Sequence, residues 1–319
     1  MGRRSSIATY QLLARVTVVG LCVLVVAGAI VRLTGSGLGC DDWPNCNEQR
    51  FIDVSTGHAA IEQLNRLLSA AIGVPTLGLA VVALRATRRG SGLRWPAFGV
   101  LATVLANGVV GGIAVRRDLH PALVQSHFLL AMASIALALV ALRRAGAALD
   151  PGPEPTAAPA PGGGLDGALV AAIGVLTALA LVTGTVVTGA GPHAGERDVR
   201  RFGFDIGGVA RIHSGVVIAT VLVAGALAWR LAARDPLVLR SSLSAWTFVA
   251  MVQGAIGYAQ YFTGVPELLV AAHVAGATLL WVLTVRMALE ARSRSVAGAE
   301  RGRPADRPGR FAGSAGSVV

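Results

Sequence analysis

No lysine occurs in this chain; all 28 basic residues are arginine. Charge of either sign is scarce, at 14% of 319 residues, and aromatic residues make up only 5%. A soluble protein of this length needs far more charge to coat its surface, so the composition excludes an ordinary water-soluble domain and makes the bilayer the expected solvent. The lack of lysine reflects a GC-rich coding bias, not chemistry. A net charge of +11 would suggest nucleic acid in a soluble chain. Here the arginines cluster in short loops between apolar runs, which is a signal of membrane orientation, and no nucleic-acid partner is expected. Cysteine is also sparse, with three residues. Cys22 lies inside an apolar run and reads as a small buried side chain. Cys40 and Cys46 share one short polar loop, a plausible disulfide if that loop faces an oxidising compartment.

Hydrophobic residues are abundant, at 54%, and so is glycine, at 40 residues, which lets membrane helices approach closely. A span needs about 20 mostly apolar residues. Eight runs qualify: Leu13–Leu33, Ala59–Leu84, Trp95–Val115, Pro121–Leu142, Leu165–Ala190, Val209–Trp229, Ser242–Phe262 and Glu267–Leu289. The opening MGRRSSIATYQLLARV has no small-residue cleavage site and reads as a retained first helix. With the N-terminus inside, roughly two thirds of the arginines fall in cytoplasmic segments. Both termini are then cytoplasmic and the Cys40–Cys46 loop faces out, as expected of a multi-pass plasma-membrane protein.

The Pro/Ala/Gly stretch at 150–164 is a linker that cannot pack a core. It divides the chain into a four-helix bundle at 1–149 and a second at 165–290, and residues 291–319 read as a disordered cytoplasmic tail. The halves repeat each other. Thr34-Gly35-Ser36-Gly37 answers Thr188-Gly189-Ala190-Gly191. Asn107-Gly108 with Gly111 answers Gln253-Gly254 with Gly257, and at the same offset His127 answers His273. Asn65 answers His213, two residues further on. An even number of helices per repeat leaves both halves in one orientation, so the expected fold is an all-α membrane protein of two tandem four-helix bundles related by a pseudo-twofold along the membrane normal.

Polar groups at membrane depth are costly and tend to be functional. His213 and His273 sit at similar depth, about 9 Å or less below the outer ends of their spans. Two such imidazoles suit a bis-histidine haem; the plainer alternative is a hydrogen bond between helices. Arg66 and Arg211 stand where they meet haem propionates or else snorkel to the interface. His58, Glu62 and Arg66 recur every fourth residue and line one stripe. Glu62 is then either the acid of an intrahelical ion pair or a carboxylate aimed into a pocket, available as a base. His120 and His193 lie in outer turns, at the mouth of any such pocket.

Taken together, Gly28 to Leu38 followed by Cys40-Asp41-Asp42-Trp43-Pro44-Asn45-Cys46 resembles the first outer loop of haem A synthases. So do Ile61 to Arg66, Thr188 to Gly195, Arg211-Ile212-His213 and Ala272 to Ala277, and the resemblance covers about residues 13 to 290. It implies oxidation of a methyl group on haem O to a formyl group, by two successive hydroxylations and loss of water from a geminal diol, with water supplying the oxygen. It implies haem b as cofactor in the second half, ligated by His213 and His273, and haem O as substrate in the first, near Glu62 and His127. Glu62 matches the family's catalytic carboxylate, His127 is assigned to the substrate iron, and Cys40 and Cys46 match the outer-loop cysteine pair. The haem O synthase upstream and terminal oxidase assembly downstream are the implied protein partners. Two departures stand out: Asn65 occupies a position where the family pattern has histidine, and Glu196 to Gly207 holds no cysteine. Two other readings remain: a di-haem b-type electron-transfer cytochrome without its own substrate, and a transporter, which gives no reason for histidines on three spans.

Overall fold

A chain crossing hydrocarbon must satisfy its backbone N–H and C=O groups internally, which a single apolar run achieves as an α-helix. The computed structural model describes residues 3–86, 92–149, 164–193, 195, 196, 198–232 and 237–301. Regular structure among them is entirely helical: α1 (Arg3–Leu33), α2 (Gly57–Ala86), α3 (Arg94–Val115), α4 (Pro121–Leu149), α5 (Leu165–Ala190), α6 (Ile206–Ala232), α7 (Leu237–Phe262) and α8 (Glu267–Arg301). Each predicted span falls inside one of these helices. Seven are long and apolar enough to cross a membrane. The exception is α7, where Arg240, Ser241, Ser242, Ser244, Gln253 and Gln260 dilute the apolar run. Packing holds it in place: Leu239, Leu243, Trp246 and Ala250 are buried in a core shared with Leu227, Leu231 and Met287. The protein is a multi-pass membrane protein. Most of the linker, 150–163, and the end of the tail, 302–319, lie outside the described residues. α8 runs on to Arg301, past the point where composition predicts disorder, through a stretch rich in the helix formers Ala, Glu and Arg.

Helix packing builds two rings. α1 lies against α2 and α4, α2 against α3, and α3 against α4; α5 lies against α6 and α8, α6 against α7, and α7 against α8. Among the described residues the diagonal helices do not meet: α2 stays clear of α4, and α6 of α8. The rings join where α4 contacts α5 and α8, and where α1 contacts α8.

Lipid is as apolar as leucine, so packing and hydrogen bonds hold such helices together. Across the seam the Trp281 indole N–H donates to the Met132 carbonyl at 2.9 Å, and the Gln125 amide donates to Thr185 Oγ1 at 2.9 Å. One apolar core crosses the same seam, with Leu21, Ile72, Val100, Met132 and Ile135 packed against Val274, Ala277 and Trp281. Arg230 clamps the start of α5 to the end of α6 through buried Asp166 at 2.7 Å. At the opposite ends, the loop after α5 interlocks with the first half. The Gly37 N–H donates to the Gly195 carbonyl at 3.3 Å, Arg32 Nη2 donates to the Thr188 carbonyl at 3.1 Å, and Leu119 packs on Val199.

Candidate active site

α2 begins at Gly57, so His58, Glu62 and Arg66 do share a continuous helical stripe. Leu64 and Leu67 are exposed on another face and mark the lipid side. Glu62 is 5% exposed. Its Oε1 accepts from Arg66 Nη2 at 2.7 Å and Nε at 3.1 Å, while its Oε2 accepts from the Cys40 backbone N–H at 2.7 Å. Arg66 then reaches past Glu62 and donates to the carbonyls of Asp42 and Asn45, both at 2.9 Å. The ion pair and the buried carboxylate are therefore one arrangement: a carboxylate oriented by a guanidinium that also holds the loop between α1 and α2. Removing one partner of such a pair strands the other, at a cost of about 3–5 kcal/mol.

That loop is closed by a disulfide between Cys40 and Cys46, with Cα atoms 4.4 Å apart. Trp43 within it sits over α3 at Gly112, where any side chain would meet the indole. At its far end, the Ser55 backbone N–H and hydroxyl, helped by Asn47 and Arg50, hold the Asp53 carboxyl below the usual carboxylate range. Cys40 and Cys46 are expected to resist alkylation in isolated membranes until a reductant is added. Reduction should cost about 2 kcal/mol of loop-closure stabilisation. Labelling of both thiols without reductant would contradict the pairing.

Each ring carries histidine on its fourth helix. His127 Nδ1 lies 3.0 Å from the Asn107 carbonyl, which can only accept, so Nδ1 carries the proton and Nε2 keeps its lone pair. His213 Nδ1 lies 3.0 Å from Thr183 Oγ1, whose own proton goes to the Leu179 carbonyl at 2.9 Å. His213 therefore donates through Nδ1, and its Nε2 is free as a ligand. His273 has a buried Nδ1 with no partner. Glycines make room for all three rings. A Cβ on Gly111 would lie 2.8 Å from His127, one on Gly184 3.1 Å from His213, and one on Gly257 3.5 Å from His273. By rise per residue, Asn65, His127, His213 and His273 all lie about 9–12 Å in from the N-terminal ends of their helices.

The remaining candidates are placed elsewhere. Arg211 stands exposed on the first turns of α6, 3.8 Å from Asp205. His193 donates through Nε2 to the Val265 carbonyl at 2.8 Å, joining the loop after α5 to the turn before α8. His58 is exposed and its Nδ1 is 2.9 Å from Ser36 Oγ, which is 2.8 Å from Thr34 Oγ1. His120 is half-buried in the turn before α4. Sequence reasoning missed the Thr183 partner of His213 and the reach of Arg32 into the second half. A Thr in an apolar run and an Arg at a helix end were the only signals for them.

A multi-pass helical protein with two four-helix rings, histidines on opposite helices and a buried carboxylate under a disulfide loop defines a class of membrane cofactor protein. The chain matches the COX15-CtaA family, described as cytochrome oxidase assembly protein, over residues 11–285, and it belongs to that family. It is 30% identical over 128 residues to the Heme A synthase of Geobacillus kaustophilus, covering 40% of each chain. It is 29% identical over 145 residues to the Heme A synthase of Shewanella oneidensis, covering 40% of this chain and 43% of that one. It is also 37% identical over 82 residues to a Protoheme IX farnesyltransferase of Haloarcula marismortui, covering 26% of this chain and 17% of that one. The chain thus spans less than half the length of these relatives.

Proposed function

We propose that this protein is a haem A synthase, an oxidoreductase that converts the methyl group of haem O to a formyl group. The observation that carries the reading is the pair of rings whose diagonal helices stand apart, with His213 and His273 at one depth on diagonal helices of the second and His127 at similar depth in the first. A flat macrocycle needs that gap, and imidazoles with defined tautomers need that placement. In the second ring the free Nε2 of His213 and the unpartnered His273 suit haem b, with Arg211 at the mouth for a propionate. When bound, that haem supplies the electron-transfer chemistry that side chains lack. The repeated helix pairings of the two rings support the pseudo-twofold and the division at residues 150–164. The arginine distribution supports cytoplasmic termini and an external disulfide loop.

The first ring receives haem O, with His127 toward its iron and Glu62 beside the outer loop. The overall change is one methyl plus one water giving one formyl, four protons and four electrons, the electrons passing to an external electron acceptor. Glu62 accepts protons as water is activated, and Arg66 keeps its carboxylate pointed inward. The isoprenoid tail of haem O favours entry and exit sideways through lipid. The enzyme that makes haem O acts upstream, and haem A passes on to terminal oxidase assembly. Expression beside a haem O source, followed by extraction and chromatography of the haems, tests the reading. Haem A is the expected product. Haem b bound with haem O unchanged would favour the electron-transfer cytochrome instead.

A further inference from the structure

The two rings agree in helix pairing, in diagonal spacing and in the histidine on the fourth helix. Besides the Glu62–Arg66 pair and the disulfide loop of the first ring, they differ at the position facing that histidine. Where α6 presents His213 across the ring from His273, α2 presents Asn65 across from His127. Resting on the haem A synthase reading, we propose that the substrate haem is held by His127 alone, and that Asn65 leaves the opposite face of its iron open to a small exogenous ligand such as carbon monoxide.

A carboxamide has no lone pair basic enough to bind haem iron as imidazole does. Asn65 also has unspent polar capacity: its Oδ1 is buried with no hydrogen-bond partner. Leu64 and Leu67 face outward, and Asn65 lies away from them, on the side of Glu62 and Arg66. A buried amide oxygen without a partner at the depth of His127 can accept a hydrogen bond from a small donor such as water seated opposite that histidine.

No other histidine replaces it. His58 is on the same helix but seven residues, or about 10 Å, further out, and its Nδ1 is tied to Ser36. His120 precedes α4 in an outer turn, and His193 is bonded to Val265 beside the second half. Cys22 is packed among apolar side chains of α1 and its neighbours. On the His127 side the ligand is well defined, since the Asn107 carbonyl sets its tautomer. The first ring therefore offers one strong axial ligand and one weak polar contact, whereas the second offers two imidazoles. A haem held on one side exchanges more readily than one held on both, which suits a substrate against a resident cofactor.

The test uses the full chain purified in detergent from cells that make haem O, loaded with excess haem O and reduced. Carbon monoxide should shift the Soret band of about half the bound haem and leave the rest low-spin. The reactive fraction should vanish in His127→Ala and persist in His213→Ala. Asn65→His should convert it to a low-spin, carbon-monoxide-inert form. The proposal is overturned if all haem in the unaltered chain is low-spin and inert, or if the reactive fraction survives His127→Ala. Protein that binds no haem at all, or forms no haem A in cells, would instead defeat the haem A synthase reading.

Discussion

Glu62→Gln should lower haem A formation by at least about 100-fold while the haem b spectrum persists. The carboxylate lies in the first ring, and the proposed haem b ligands, His213 and His273, lie in the second. Glutamine keeps the shape and can still accept from the Cys40 N–H, so the loop stays seated. It cannot take a proton from water, and it leaves the Arg66 charge without its counter-ion. Glu62→Ala should do the same to activity and also loosen the loop, which non-reducing alkylation of Cys40 and Cys46 would register. Arg66→Gln separates positioning from chemistry: the carboxylate remains, its orientation is lost, and activity should fall less than in Glu62→Gln. Normal haem A output from Glu62→Gln would remove the proposed role.

His273→Ala and His213→Ala should each abolish the low-spin haem b spectrum of the purified protein, and haem A formation with it. Two imidazoles on diagonal helices act as a unit, so either loss leaves a five-coordinate site of much lower affinity. Thr183→Val gives a graded control. It removes the group that sets the His213 tautomer and leaves both ligands, so haem b affinity should drop by about 10–100-fold, with the haem still low-spin where bound. Haem content and spin state, read by absorption and electron paramagnetic resonance, distinguish the cases. An unchanged low-spin spectrum in His273→Ala would mean that the ligands lie elsewhere.

The eight helices were legible because hydrocarbon tolerates few other backbone conformations, so a run of twenty apolar residues leaves little choice. α7 shows the limit of that rule. Its serines and glutamines weaken the apolar signal, and its place depends on Trp246, whose indole donates to Thr284 Oγ1 on α8 at 2.8 Å. The proposed internal repeat rests on matched residues that recur in order, and it brought out His127, His213, His273 and the odd Asn65.

The amino-acid sequence by itself determined that the chain enters a membrane, how its helices are spaced along it, and which imidazoles and carboxylate stand at membrane depth. These properties follow from local composition and from rise per residue. Only the tertiary structure decided how those groups are used. Spacing left open whether Glu62 pairs with Arg66 or points elsewhere, and the fold makes the pair and adds the Cys40 N–H as a second donor, because the Cys40–Cys46 loop folds back over α2. Likewise, nothing local links His213 to Thr183 or Arg32 to Thr188. Those contacts join separate helices, and their geometry is set by helix packing, which no stretch of the chain encodes alone.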